Sequence, residues 1–258
     1  RSGYAVANTG NFPVTMNLTL RDRDGVIRDQ VPLPLAAGQH VSEFAYQRFP
    51  VAAPDGFEGS LECSSEQNVA AVALRYDNAN LAGTPQVFAT IPVAIDEAAT
   101  ALYFPQLADG SGYRTNLILM NPQEAGTTAR LEFRRSDGTP LSVSIGGAWR
   151  SSYDLPLPAR GVAHFVTDGN SADLNVGWVK ATSTLPIVGS LVFQTRAGSR
   201  ILSEAGVASS PLAQHFATYV DSRNATESGL AVCNPNDAAV TLTLNLRRST
   251  GETVASTN

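Results

Sequence analysis

Ser228-Gly-Leu-Ala-Val-Cys-Asn-Pro235, a short turn, Val240-Thr-Leu-Thr-Leu-Asn-Leu246, then Arg247-Arg-Ser-Thr-Gly251 is the stretch on which the reading of the fold turns. Apolar residues at every second position, bounded by an Asn-Pro turn and a glycine turn, spell strand, turn and strand. The same block starts at Ser2, and a more divergent copy starts at Thr115. Asn8, Asn121 and Asn234 are 113 residues apart twice over, and Gly25, Gly138 and Gly251 give the same interval twice. A fixed interval of this kind marks a repeated structural unit.

Working outward, each copy keeps a face rather than a set of residues. Val14, Met16, Leu18 and Leu20 alternate with Thr15, Asn17 and Thr19; Val240, Leu242, Leu244 and Leu246 repeat the pattern, and Ala129, Leu131 and Phe133 alternate with Arg130, Glu132 and Arg134. Period-2 alternation places one face on a core and the other in water. Asn121-Pro122 and Asn234-Pro235 end a strand, because proline pushes the preceding residue out of the helical region and the Asn side chain bonds the backbone beyond it. Gly25, Gly138 and Gly251 supply the positive φ of a tight hairpin.

A Pro-rich segment follows in the first two copies, Val31 to Gly38 and Leu155 to Gly161. Prolines spaced by two fit an edge strand or a polyproline-like crossover, where no ladder hydrogen bond is lost. The second copy carries about ten extra residues near Leu141 to Ser151, including Trp149, expected as a surface loop or lengthened hairpin. Further on, at an interval of 118, Gly59 to Ser65 matches Gly177 to Ser183. In that alignment Leu61 and Cys63 share a face with Val179 and Ala181. Trp178 falls on the opposite face, either as an outward contact residue or as a ring lying over a neighbouring loop.

No stretch longer than a turn or two has helical periodicity, so the expected fold is all-β: tandem immunoglobulin-like β-sandwich domains with a 113-residue period. The expected units are 1–100, 101–213 and a partial third at 214–258, joined near Ile95 to Ala101 and Ala208 to Gln214 by connections too short to be flexible tethers. If Leu102 to Leu107 and His215 to Val220 are leading strands, the first unit lacks its own and the third cannot close a sandwich. Two expectations follow: the chain is a window on a longer array, or its tail pairs with the deficient head of another copy.

Composition narrows the function classes. Charged residues make up 16% and the net charge is −5 with no basic run, which argues against nucleic acid and anionic membranes as partners. No apolar run approaches the ~20 residues needed to span a bilayer. Cys63 and Cys233 sit at non-equivalent places and read as small buried apolar residues rather than a disulfide framework. His40, His164 and His215 have no neighbour at metal-ligand spacing. Asp22-Arg23-Asp24-Gly25 resembles the start of a calcium loop but lacks the later ligand positions, and a hairpin tip explains it. No nucleophile elbow, phosphate loop or dinucleotide fingerprint is present, so no catalytic residue, metal or cofactor is assigned. Asn17 and Asn224 stand in glycosylation sequons.

Phe104-Pro-Gln-Leu107, Gly112-Tyr-Arg-Thr115, Leu119-Met-Asn-Pro122, Asp137-Gly138, Glu204-Ala-Gly-Val207 and Ser228 to Pro235 together resemble the tandem immunoglobulin-like repeats of long secreted or surface proteins of bacteria. The resemblance implies stalk or adhesin modules without catalytic residues. The expected function is therefore a non-enzymatic extracellular or cell-surface structural protein, a stalk or filament subunit whose partners are copies of itself. The alternative is an adhesin or carbohydrate-binding module, with glycans or other surface proteins bound through Trp178, Trp149 or Tyr113. An accessory region of a secreted enzyme is a third possibility.

Overall fold

The computed structural model describes residues 1–53, 56–77, 87–91 and 98–258, and every long element in it is a strand. The chain divides into two compact units, Arg1–Tyr219 and Val220–Asn258. Of the expected junction at Ile95 to Ala101, residues 95–97 lie outside the described residues and Ala99 onward is already strand.

The larger unit holds two hydrophobic cores. Around the first run β1 (Ser2–Ala7), β2 (Val14–Asp22), β3 (Ile27–Leu35), β4 (His40–Phe44), a short helix α1 (Ala45–Arg48), β5 (Gly59–Ser64), β6 (Ala70–Asp77) and β7 (Val87–Ile91). They form two antiparallel sheets, ordered β3-β2-β5 and β4-β1-β6-β7. Val14, Met16, Leu18 and Leu20 turn inward from β2, as their alternation predicts, and join Tyr4, Val6, Leu33, Leu35 and Phe49 in the core. β3 is an outermost strand, with Pro32 opposite Asn17 and Pro34 opposite Thr15, where a missing N–H costs the ladder nothing.

The second core is built by β8 (Ala99–Asp109), β9 (Tyr113–Met120), β10 (Thr127–Arg134), β11 (Val143–Ile145), β12 (Ala148–Arg150), β13 (Ser152–Leu157), β14 (Val162–Val166), β15 (Asn175–Ala197) and β16 (Arg200–Ala208). The long strand β15 serves two sheets. Its first half lies between β10 and β8, and its second half lies between β9 and β16. The change of partners falls between Ser183 and Ile187 and includes Pro186, which has no N–H to give to either ladder. The outcome is two four-stranded layers, β13-β10-β15-β8 and β14-β9-β15-β16, over a core that includes Phe104, Leu107, Leu119, Leu131, Phe133 and Leu191. The ten extra residues form the lengthened hairpin β11–β12, turned at Gly146 and Gly147 with φ of 56° and 79°.

Buried asparagines do the same work in both halves. The Asn8 amide donates to Phe12 O, Leu35 O and Ala36 O, and its Oδ1 accepts from Gly10 N. The Asn121 amide donates to Ala125 O, Leu157 O and Pro158 O, and its Oδ1 accepts from Gln123 N. Each Asn ties its own turn to the crossover that follows β3 or β13. Structurally, Gly38 corresponds to Arg160, both at positive φ (70° and 57°), rather than to Gly161.

In the smaller unit, β17 (Leu244–Arg247) pairs with β18 (Thr253–Thr257) across Gly251, whose φ is 88°. The expected strand at Ser228 to Pro235 is not formed, and Val240 to Thr243 is not strand either. Leu242, Leu244 and Leu246 remain 38%, 43% and 46% exposed. Alternation names the face that would be buried, but a lone hairpin without a covering sheet is marginal.

Candidate functional site: an open sheet edge and an aromatic strip

The three-stranded sheet ends at β5. Among the described residues β5 has a hydrogen-bonded neighbour on one side only, β2, whereas the first half of β15 has β10 on one side and β8 on the other. The two strands correspond through a shared backbone constraint. A Cβ on Gly59 would lie 1.9 Å from Arg21 O, and one on Gly177 would lie 2.1 Å from Arg134 O, so only glycine fits either place. Burial then differs where the neighbouring strand differs. Val179 and Ala181 are fully buried, while their counterparts Leu61 and Cys63 are half-buried and exposed. The expectation of two buried cysteines is corrected here: Cys63 is exposed, Cys233 is partly exposed, and both are free thiols. Among the described residues no strand lies beside Cys63 on that side of the sheet, which accounts for its exposure.

Around this edge the two halves of the larger unit meet closely. Arg160 pairs with Glu62 at 3.7 Å and with Glu124 at 2.6 Å, and Arg21 also reaches Glu62 at 3.2 Å. The Glu124 carboxyl is held below its ordinary range by its bond from Arg160, and the Arg160 guanidinium is raised by the same bond. Val162 N donates to Arg23 O at 2.9 Å, and a Cβ on Gly25 would fall 2.0 Å from Ala159 O. On another side Arg75 pairs with the wholly buried side chain of Glu204 at 3.5 Å. Backbone-to-backbone approaches of this kind join the halves firmly.

The tryptophans occupy different surroundings. Trp178 does leave the core face of β15, opposite Arg134, but the Arg134 guanidinium covers it at 5.9 Å from the ring centroid and only 8% of the residue is exposed. It offers little to a ligand. Trp149, on β12, is 54% exposed, and Tyr113, at the start of β9, is 37% exposed. Among the described residues no ring contact joins these three. Asp168 anchors the hairpin that carries Trp149, accepting from Ser144 Oγ, Gly146 N and Gly147 N, and the Ser144 bond first and the two amides after it lower its carboxyl pKa.

A row of rings escaped the sequence reading. Tyr46, Phe44, Tyr76 and Phe88 follow one another at centroid spacings of 5.6, 5.9 and 4.8 Å across the β4-β1-β6-β7 sheet, with Arg1 over Tyr46 at 4.9 Å. Gly3 makes the row possible, since a Cβ there would sit 3.3 Å from the Phe44 ring. Phe88 is 55% exposed at one end. These residues come from separate elements, so no linear motif announces them.

The polar candidates are engaged in structure. Asp22 Oδ1 accepts from Asp24 N and Val26 N, and its Oδ2 accepts from Arg28 Nε at 2.7 Å. Burial alone would raise the Asp22 pKa, but those bonds outweigh it and lower it, as suits a hairpin tip. His164 lies between Asn116 Oδ1 and Glu58 Oε1, each at 3.2 Å. Among the described residues no three His, Cys, Asp or Glu side chains gather as metal ligands, and no helix is long and apolar enough to cross a membrane.

No protein-family model and no curated protein matches the chain. One solved structure resembles it, the crystal structure of Thermotoga maritima 1070, at 15% identity over 44% of this chain and 95% of that one. Its TM-score of 0.36 is too low for that likeness to carry an argument about fold or function.

Proposed function

We propose that the chain is a non-enzymatic structural module of a tandem array of immunoglobulin-like sandwiches with a 113-residue period, acting outside the cell or on its surface as a stalk or filament subunit. The observation that carries this reading is the recurrence of one hydrogen-bond set at Asn8 and Asn121, partly repeated at Asn234, whose amide donates to Ala238 O and whose Oδ1 accepts from Asn236 N. Hairpin glycines at φ of 82°, 82° and 88° recur at the same interval. The firm seam between the two halves favours a stiff rod over beads on a string, and copies of the chain itself are the natural partners. Sedimentation velocity across a range of concentrations tests the proposal: larger species must accumulate as concentration rises. A constant monomer at every concentration counts against it.

The aromatic strip favours a second reading, an adhesin or glycan-binding surface, because sugar rings stack on exposed aromatic faces. Glycan-array binding that Phe88→Ala or Trp149→Ala abolishes, with the fold intact, would move the assignment to that class. An array on which the native chain binds nothing leaves the structural reading in place.

A further inference from the structure

The seam between the two halves of the larger unit holds an ionisable side chain that suits it in one protonation state. His164 lies on β14 between Ala163 and Phe165, both of which enter the second core, so its ring leaves on the opposite face. Nδ1 faces Glu58 Oε1 across the seam, and Nε2 faces Asn116 Oδ1 within the second half, each at 3.2 Å. The Asn116 amide donates to Val192 O at 3.2 Å, which turns its Oδ1 to the ring and sets the ring proton on Nε2. Nδ1 is therefore the atom that takes any further proton.

The charges around the ring balance without that proton. From the first half, Glu58 precedes β5, Arg23 stands in the β2–β3 turn and Arg75 lies on β6; from the second, Glu204 lies on β16. Arg23 is 4.0 Å from Glu58, and Arg75 is 3.5 Å from Glu204, whose side chain is wholly buried. Two guanidiniums thus meet two carboxylates. A charged imidazole would leave one positive charge uncompensated where only 29% of the His164 side chain reaches solvent. Burial first, with the Arg75 and Arg23 charges, outweighs the attraction of Glu58 and holds the ring below its ordinary 6.5. Two residues earlier on the same strand, Val162 N donates to Arg23 O at 2.9 Å. Arg23 is therefore both a charge that opposes the imidazolium and the acceptor of a main-chain tie between the halves.

We propose that His164 makes the joint between the two halves a proton-sensitive hinge, firm while the ring is neutral and loosened when mild acid charges it. The sign follows from linkage. A ring that binds its proton more weakly in the closed joint than in the open one lends stability that is complete above 6.5 and is lost as pH falls from there through the closed-state value. The joint is internal to one chain, so this inference goes beyond the structural reading above, and its failure leaves that reading in place.

Hydrogen exchange at the Val162 amide tests it. Corrected for the intrinsic rate, its protection should fall between about pH 7 and pH 5, by up to about tenfold per pH unit for a single proton. Protection at Leu119, which is paired on both sides within the second half, should hold. His164→Gln keeps a donor for Asn116 Oδ1 and cannot be charged, so it should flatten the Val162 profile. Constant protection of Val162 in the native chain, the same fall in His164→Gln, or a parallel fall at Leu119 overturns the proposal. NMR titration of the His164 ring in the native chain needs no variant: a midpoint below 6.5 is expected, and one at or above 6.5 overturns the proposal.

Discussion

At the scale of single residues, asparagine is the part of the fold most legible in the sequence, and it is legible only halfway. Its place before a turn follows from local chemistry, since an Asx side chain bonds the backbone just beyond it. The bonds from Asn121 to Leu157 O and Pro158 O reach 36 and 37 residues onward, and no local rule shows them. Asn121→Ala should therefore cost about 2–4 kcal/mol, because it orphans buried carbonyls as well as the turn. Asn234→Ala, with an exposed and local bond set, should cost within about 0.5 kcal/mol. Urea unfolding of the two variants checks the difference. Trp178 teaches a similar lesson: alternation gives its face of the sheet, but nothing local says that Arg134 covers it. Trp178→Ala should destabilise by about 3 kcal/mol or more, while Trp149→Ala, on an exposed hairpin, should change stability by about 0.5 kcal/mol at most.

At the scale of elements, partners decide which alternating runs become strands. β10 and the run at Val240 to Leu246 have the same pattern, yet β10 lies between β13 and β15 and buries Leu131 and Phe133, while only Leu244–Arg247 of the later run pairs. Hydrogen exchange should be slower by orders of magnitude at the amides of Thr127–Arg134 than at those of Leu244–Arg247, as local opening free energies differ between a covered and an uncovered hairpin. The insertion hairpin β11–β12 hangs on Asp168, and its pH dependence has a definite sign. The folded pKa of Asp168 lies below its ordinary 3.8, so its contribution is present above that value and is lost as pH falls through the folded pKa. Amide protection at Gly146 and Gly147 should fall in acid below pH 3.8, and Asp168→Asn should weaken it already at neutral pH.

At the scale of the whole molecule, β class and the placement of the turns follow from the sequence, because alternation and glycine turns are local. The close seam and the one-sided edge of β5 do not, because they depend on which surfaces meet. The bonds of Val162 N with Arg23 O and of Arg75 with Glu204 join segments far apart in the chain. The 113-residue spacing of Asn8 and Asn121 reaches further than local pattern, since the two amides bond equivalent backbone groups, whereas later segments such as Gly59 and Gly177 correspond at 118. The central claim is that the chain builds extended assemblies from copies of one sandwich. Electron microscopy of the native material tests that most directly: the account predicts stiff rods or filaments with a regular axial repeat, and a field of isolated globular particles would contradict it.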